Sequence, residues 1–341
     1  MTHRQAARRL ITVTLGLAVA LAATGGPALA GAPTRALNGT VWVANRGDGT
    51  IRGFDAKTGG TVTTIAMRAG SQPGDLAYAR GKLYVAEEFG VPPAIAIVDE
   101  ATGEVLERIF TGARPHHVHA SVGGNLIAFG VFGTNRVGVI DTQTDTLVGE
   151  WPASANPAAR SHAGVFAPNG RILYVANDVT DELAALDPRT GELLWTMAVP
   201  KAHELVVMAN GKTAYVSSRA ANILRVVDLQ DREIVASIPL GPLPDTLQLS
   251  ADEKLLTVGL RGTPAQVAIV DTATFAVEIV TIGGSGTIAG HQWTSPSGRY
   301  TFAAFEGPGA GVAVIDHALG NILVQTLDYP GRPHGVTFAR P

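Results

Sequence analysis

One aspartate recurs along this chain at a spacing that leaves few architectures open. Asp55, Asp99, Asp141, Asp187, Asp228, Asp271 and Asp316 are separated by 41 to 46 residues. Each ends an apolar run and opens a turn. The units "TVWVANRGDGTIRGFDAKTGGTVTTIAM", "KLYVAEEFGVPPAIAIVDEATGEVLERIF" and "ILYVANDVTDELAALDPRTGELLWTMAV" show the pattern. An apolar strand is followed by a polar loop, a second strand ending in Asp, a turn and a third strand. The aspartates read as turn formers whose carboxylates accept nearby backbone N–H groups.

A fourth segment lies between these units. It appears as "QPGDLAYARGK", "RPHHVHASVGG", "RSHAGVFAPNG", "KAHELVVMANG", "LPDTLQLSADE", "AGHQWTSPSG" and "RPHGVTFARP". Four short strands per period of this length make one blade of a β-propeller. The first Asp-marked unit has no fourth segment before it, and the last copy ends the chain. The C-terminal strand is therefore expected to complete the blade that the N-terminal strands begin, which hides sheet edges that would invite aggregation. The predicted fold is all-β, a single seven-bladed propeller over residues 31–341. Forty glycines and twenty prolines in a chain that is 46% apolar agree with many short strands and tight turns.

Residues 1–30 are read separately. A basic start containing Arg4, Arg8 and Arg9 precedes a mostly apolar run, Leu10 to Ala22, and then Ala28-Leu29-Ala30. That is the pattern of a secretory signal peptide cut after Ala30. The run is shorter than the ~20 residues a membrane span needs. Arg8-Arg9 followed by Leu10-Ile11 hints at twin-arginine export of a folded protein. The expected location is periplasmic, secreted or cell-surface, with no integral membrane segment after cleavage. Cysteine is absent, which excludes disulfides, thiolate chemistry and a lipid on cysteine. A net charge of −3 with 16% charged residues and no basic block disfavours nucleic acid. No nucleophile elbow, phosphate-cradling glycine loop with Lys-Ser/Thr or H-E-x-x-H motif is present, and "GGSGTIAG" reads as a loop.

The copies "LYVAEE" (83–88), "LYVAND" (173–178) and "AYVSSR" (214–219), each followed by a strand ending in Asp, resemble the YVTN-type repeat of secreted bacterial seven-bladed propellers, the YncE-like group among them. The resemblance covers the whole chain after residue 30. It is specific for fold and poor for function, because this architecture hosts binders, scaffolds, lyases and lactonases. It implies that the fourth segments open the innermost strands, which line the central channel.

With that placement, the residues after the Pro or its equivalent form a ring: Gly74, His116, His162, His203, Asp245, His291 and His334. Seven of the eight histidines beyond residue 30 lie in these short segments, and only His317 lies elsewhere. Imidazoles from several converging strands, together with a carboxylate, are ligands for zinc, copper, nickel or iron. Three or four nitrogens at about 2.0–2.1 Å satisfy zinc. The alternative is a wet polar channel with no metal. In "HHVH", alternation puts His117 and His119 on one face and His116 on the other, which favours His116 for the ring and leaves His119 as second choice. "HQWTSPSG" is one residue short, so His291 needs a bulge to join. Asp75, Glu204 and Gln292 follow ring positions and can orient imidazoles. Trp293 either walls the channel or packs. Arg114, Arg160 and Arg332 precede ring segments and form either a positive collar or a repeated loop contact.

The expected function is metal handling. The chain resembles periplasmic zinc metallochaperone propellers, which implies zinc, or copper, held by His116, His162, His203, Asp245, His291 and His334. It also implies a metal-transporter solute-binding protein as partner. Those chaperones carry a flexible histidine-rich segment, whereas "GAPTRALNGT" has no histidine. A metal-dependent lyase or hydrolase at the same hub is the alternative from the enzyme class. A monomeric cell-surface scaffold without metal is the third reading.

Overall fold

In the middle strands of each repeat nearly every position is apolar because both strand faces are buried. Successive side chains point to opposite faces, and here each face meets a different neighbour. In Lys82–Glu87, Leu83 and Val85 pack with Trp42 and Ile51 of the preceding blade, while Tyr84 and Ala86 pack with Ile127 and Phe129 of the following one. Seven such apolar clusters occur, one between each pair of neighbouring blades. This computed structural model describes residues 37–340. The signal-peptide reading of residues 1–30, including Arg8-Arg9 and Ala30, falls outside the described residues.

The molecule is a seven-bladed β-propeller made of seven four-stranded antiparallel sheets. The first blade joins Thr40–Asn45, Thr50–Asp55 and Thr61–Ala66 to the C-terminal strand Pro333–Ala339. Val41 is paired with Phe338 and Thr40 with Ala339. Closure thus runs through the C-terminal strand, as the repeat count requires. The cluster between the last and first blades, with Phe302, Val314, Val41 and Phe338, seals it.

The innermost strands are Pro73–Ala79, Pro115–Ala120, Ser161–Phe166, Ala202–Val207, Pro244–Leu249, Ile288–Thr294 and Pro333–Ala339. Each touches the next around a complete circle. The outermost strands, such as Val105–Phe110, are half-buried or exposed along most of their length. All seven marker aspartates accept a backbone N–H from the turn that follows, as Asp99 does from Thr102 at 2.8 Å and Asp271 from Thr274 at 2.7 Å. Among the described residues no helix is long and apolar enough to cross a membrane.

Candidate metal centre at the propeller axis

A register shift lies near the opening of every innermost strand. A bulge sets two residues against one, so side chains there escape strict alternation. In the seventh blade the shift runs from Ala289 to Gln292 and carries His291 to the axis, which is the bulge its short segment required. In the third blade the shift runs from His116 to Val118. His117 is the extra residue, with φ of 43°. His116 and His117 are therefore both buried at the axis, at 6% and 1% exposure. The expectation that they point to opposite faces fails, because alternation does not hold across a bulge. His119 sits further along the strand and is only half-buried.

The imidazoles form one continuous chain of contacts. Ring centroids are 4.4 Å apart for His334–His291, 4.5 Å for His291–His117, 4.2 Å for His117–His162 and 3.6 Å for His162–His203. His116 lies 4.3 Å from His117 and 5.0 Å from His162. His203 then meets Asp245, with Nε2 2.8 Å from Oδ1.

Carboxylates orient several of these rings. Nδ1 of His116 bonds Glu88 Oε1 at 2.7 Å, Nδ1 of His334 bonds Glu306 Oε1 at 2.8 Å, and Nδ1 of His291 bonds Asp75 Oδ1 at 3.0 Å. A carboxylate only accepts, so each Nδ1 donates, and in the neutral ring Nε2 is left as the acceptor. This is the arrangement by which carboxylates fix the tautomer of metal-binding histidines. Asp75 also accepts from the Val118 backbone N–H, which ties neighbouring blades together.

Three groups offer one ligand atom per residue with all atoms within 4.8 Å of one another: His116, His117 and His162; Asp75, His117 and His291; His117, His119 and Glu204. His117 belongs to all three. His203, Asp245 and His334 fall outside these groups and extend the cluster sideways. Several buried atoms lack any hydrogen-bond partner: His117 Nδ1, His162 Nδ1, His203 Nδ1, His291 Nε2 and Glu204 Oε2. Glu204 Oε2 stands 2.8 Å from His117 Nδ1 without hydrogen-bond alignment, and 3.7 Å from His162 Nδ1.

Burial holds His116, His117, His162 and His334 well below the ordinary imidazole range; Arg46 pushes His116 and His334 the same way, and crowding by other imidazoles, which would repel a second proton, does so for His117 and His162. Burial opposes charge on His203 too, but Asp178 and Asp245 outweigh it and raise that group. Burial disfavours charge on Asp75, yet His291 overcomes it and brings the carboxyl to about 2. Asp245 is likewise held well below its usual range, because His203, Arg219 and Arg261 outweigh burial. His116, His117, His162 and His334 are thus neutral imidazole donors, with the ionised carboxylates of Asp75 and Asp245 beside them, which suits a borderline-soft divalent cation.

Other residues sort as follows. Asp75 and Glu204 face the imidazoles. Gln292 instead bonds the hydroxyl and carbonyl of Thr246. Trp293 stacks on Phe338 at 4.6 Å and lines the channel as well. Arg114 and Arg332 line a cavity above the hub, whereas Arg160 turns away to the carbonyls of Pro157 and Ala159. Glu88 and Glu306 were missed from the sequence. Both sit at the ends of second strands, away from the aligned segments. Gly74 holds a visible signal for Glu88: a Cβ there would come 1.8 Å from Glu88 Oε1. The ring position without a side chain is the one through which Glu88 reaches His116.

Comparison with known proteins agrees with this architecture. YncE of Salmonella typhi is 24% identical over 245 residues, 68% of each chain. The seven-bladed β-propeller protein Rv1057 of Mycobacterium tuberculosis is 32% identical over 114 residues, 32% of this chain and 29% of that one. The chain is a seven-bladed β-propeller that is similar to YncE. A family model described as outer membrane protein assembly factor BamB matches residues 133–282 of this chain. A Bacteroides uniformis protein provisionally described as a 6-phosphogluconolactonase superposes with a TM-score of 0.73 at 18% identity, covering 89% of this chain and 100% of that one. That last likeness speaks for the fold alone.

Proposed function

We propose that this protein is an exported metal-binding propeller that holds zinc, or copper, at its axial histidine cluster for trafficking or storage. The observation that carries the reading is the set of buried, unpartnered ligand atoms at the hub. Buried polar atoms without partners are rare and costly. A neutral imidazole nitrogen and a carboxylate oxygen 2.8 Å apart, without a hydrogen bond between them, gain most from a cation. His116, His117 and His162 supply the leading donor set, with His291, Asp75, Glu204 and His119 beside it. His203, Asp245 and His334 are outer members that widen the site. Three imidazoles and a fourth ligand satisfy tetrahedral zinc. Glu88, by fixing the His116 tautomer, sharpens the affinity. A metal-transporter solute-binding protein is the partner this reading implies.

The test is metal content after exposure to zinc and copper, on protein made without a histidine tag. The comparison is the His116→Ala/His117→Ala/His162→Ala variant. About one or two equivalents, lost in the variant, are expected. No retained metal in either protein defeats the reading and leaves a wet channel in an interaction scaffold. A second reading, a metal-dependent lyase or hydrolase, is favoured by the cavity of about 260 Å³ that adjoins the same histidines. Slow metal exchange together with turnover of an added substrate would support it over trafficking.

A further inference from the structure

Two cavities that share no lining residue meet the hub, and their chemistry differs. One, of about 370 Å³, presents Asp75, Glu204, His119 and His291 amid apolar side chains. The other, of about 260 Å³, lies over His116, His162 and His334 and is lined by Arg46, Arg114, Arg219, Arg261 and Arg332. The first thus offers carboxylates beside its imidazoles, and the second offers mainly guanidinium groups.

We propose that the arginine-lined chamber is a binding site for a small organic polycarboxylate, whether or not metal is bound. The carboxylates near it are already engaged. Glu88 bonds Arg46 at 2.6 Å and His116 at 2.7 Å; Asp245 bonds His203; Glu306 bonds Arg332 at 2.9 Å and His334 at 2.8 Å. Five guanidinium groups therefore line the chamber with two carboxylates, Glu88 and Asp245, while Glu306 pairs with Arg332 from outside the lining; Arg219 and Arg261 stand 3.8 and 3.4 Å from Asp245, and each guanidinium carries five N–H donors. Asp178, near His203, is a further carboxylate that does not line the chamber. Arg46 Nε and Arg114 Nε are buried without a partner. The carboxylate nearest to Arg114, Glu88, is 3.9 Å away.

The arginines come from four blades, so their charges surround the chamber from several sides. A ligand with carboxylates several ångströms apart can engage arginines on opposite sides of the chamber at the same time, which a single carboxylate reaches less completely. Guanidinium matches carboxylate in a two-pronged geometry. Aromatic groups argue for a carbon skeleton over an inorganic anion. Arg114 is held between Phe89 and Phe132, at 4.8 and 3.9 Å from their ring centroids. Those rings are 44% and 41% exposed and form an apolar rim. The volume lies at the small end for organic ligands.

The experiment is calorimetric titration of full-length protein stripped with a chelating resin, because soluble chelators are themselves polycarboxylates. Citrate and tricarballylate are expected to bind saturably, with acetate and phosphate at least about tenfold weaker. Arg219→Gln/Arg332→Gln, at the more exposed end of the set, should weaken tricarballylate about tenfold or more. Arg114→Gln, which leaves the Arg46–Glu88 pair intact, should weaken it comparably if the double variant folds poorly. No saturable tricarboxylate binding, tighter phosphate than tricarballylate, or affinity unchanged in both variants would overturn the proposal. Tricarballylate binding that survives in a protein unable to hold zinc removes the metal reading alone. Zinc retention without tricarballylate binding removes this one alone.

Discussion

The interfaces between blades and the axis they enclose are built from the same strands under opposite rules. At the interfaces the repeat is nearly interchangeable: Val41 and Val43, Leu83 and Val85, Leu173 and Val175, and Leu256 and Val258 fill matching places. At the axis five blades carry histidine at the ring position, doubled in His116-His117, while Gly74 and Asp245 fill the other two. Interface side chains are apolar, buried and mutually packed. Hub side chains are polar, buried and in part unpartnered. Apolar packing and buried polar chemistry are thus divided between the two regions. Apolar burial between blades holds the ring closed, and the axis is free to carry groups that cost stability.

The sharpest way to break that division is at an interface. Phe302→Ala, which empties the seam between the last and first blades, should cost about 3–5 kcal/mol in urea unfolding. A loss below about 1 kcal/mol would place stability elsewhere. At the axis, His117→Ala should lower zinc affinity about 10–100-fold or more. The same variant should leave the melting temperature of metal-free protein unchanged or higher, since it removes a buried, unpartnered group. A large fall in that melting temperature would erase the contrast between the two regions.

Acid sharpens the comparison further. His116, His117, His162 and His334 stay neutral in the fold, so their folded-state pKa values are lowered. The unfolded chain takes up protons near pH 6.5 that these groups refuse, so stability falls as pH drops through and below about 6.5. His203 is raised and works the other way: its contribution is present at low pH and lost as pH rises through its folded value. Asp75 favours the fold above its unfolded value and withdraws that support only as pH falls towards about 2. Metal-free protein should therefore melt several degrees lower at pH 5.5 than at pH 7.5. The triple histidine variant should show a shallower slope; an equal slope would mean that the hub does not control it. The smallest effect is expected outside both regions. Asp99→Ala removes only a turn contact, so it should lower the melting temperature slightly and leave metal content unchanged.

The repeat made most of the fold legible. Asp marks, apolar middle strands and the missing first inner strand together require seven blades closed by the C-terminus. The ring histidines were legible for the same reason, because they occupy one position of the repeat. His117 was not, because a bulge with positive φ cannot be read from alternation. Glu88 and Glu306 were not, because they reach the axis from neighbouring second strands and align with nothing in the histidine segments. Arg46, Arg219 and Arg261 escaped notice likewise. Each follows a second strand, and only the folded ring brings it over the same cavity as Arg114 and Arg332.

The measurement closest to the central claim is anomalous diffraction at the zinc and copper edges from crystals of tag-free protein loaded with each metal. The account predicts a peak within bonding distance of His117 and of His116 or His162. Anomalous density confined to groups away from the axis, the half-buried His317 among them, or absent from the axis after loading, would contradict it.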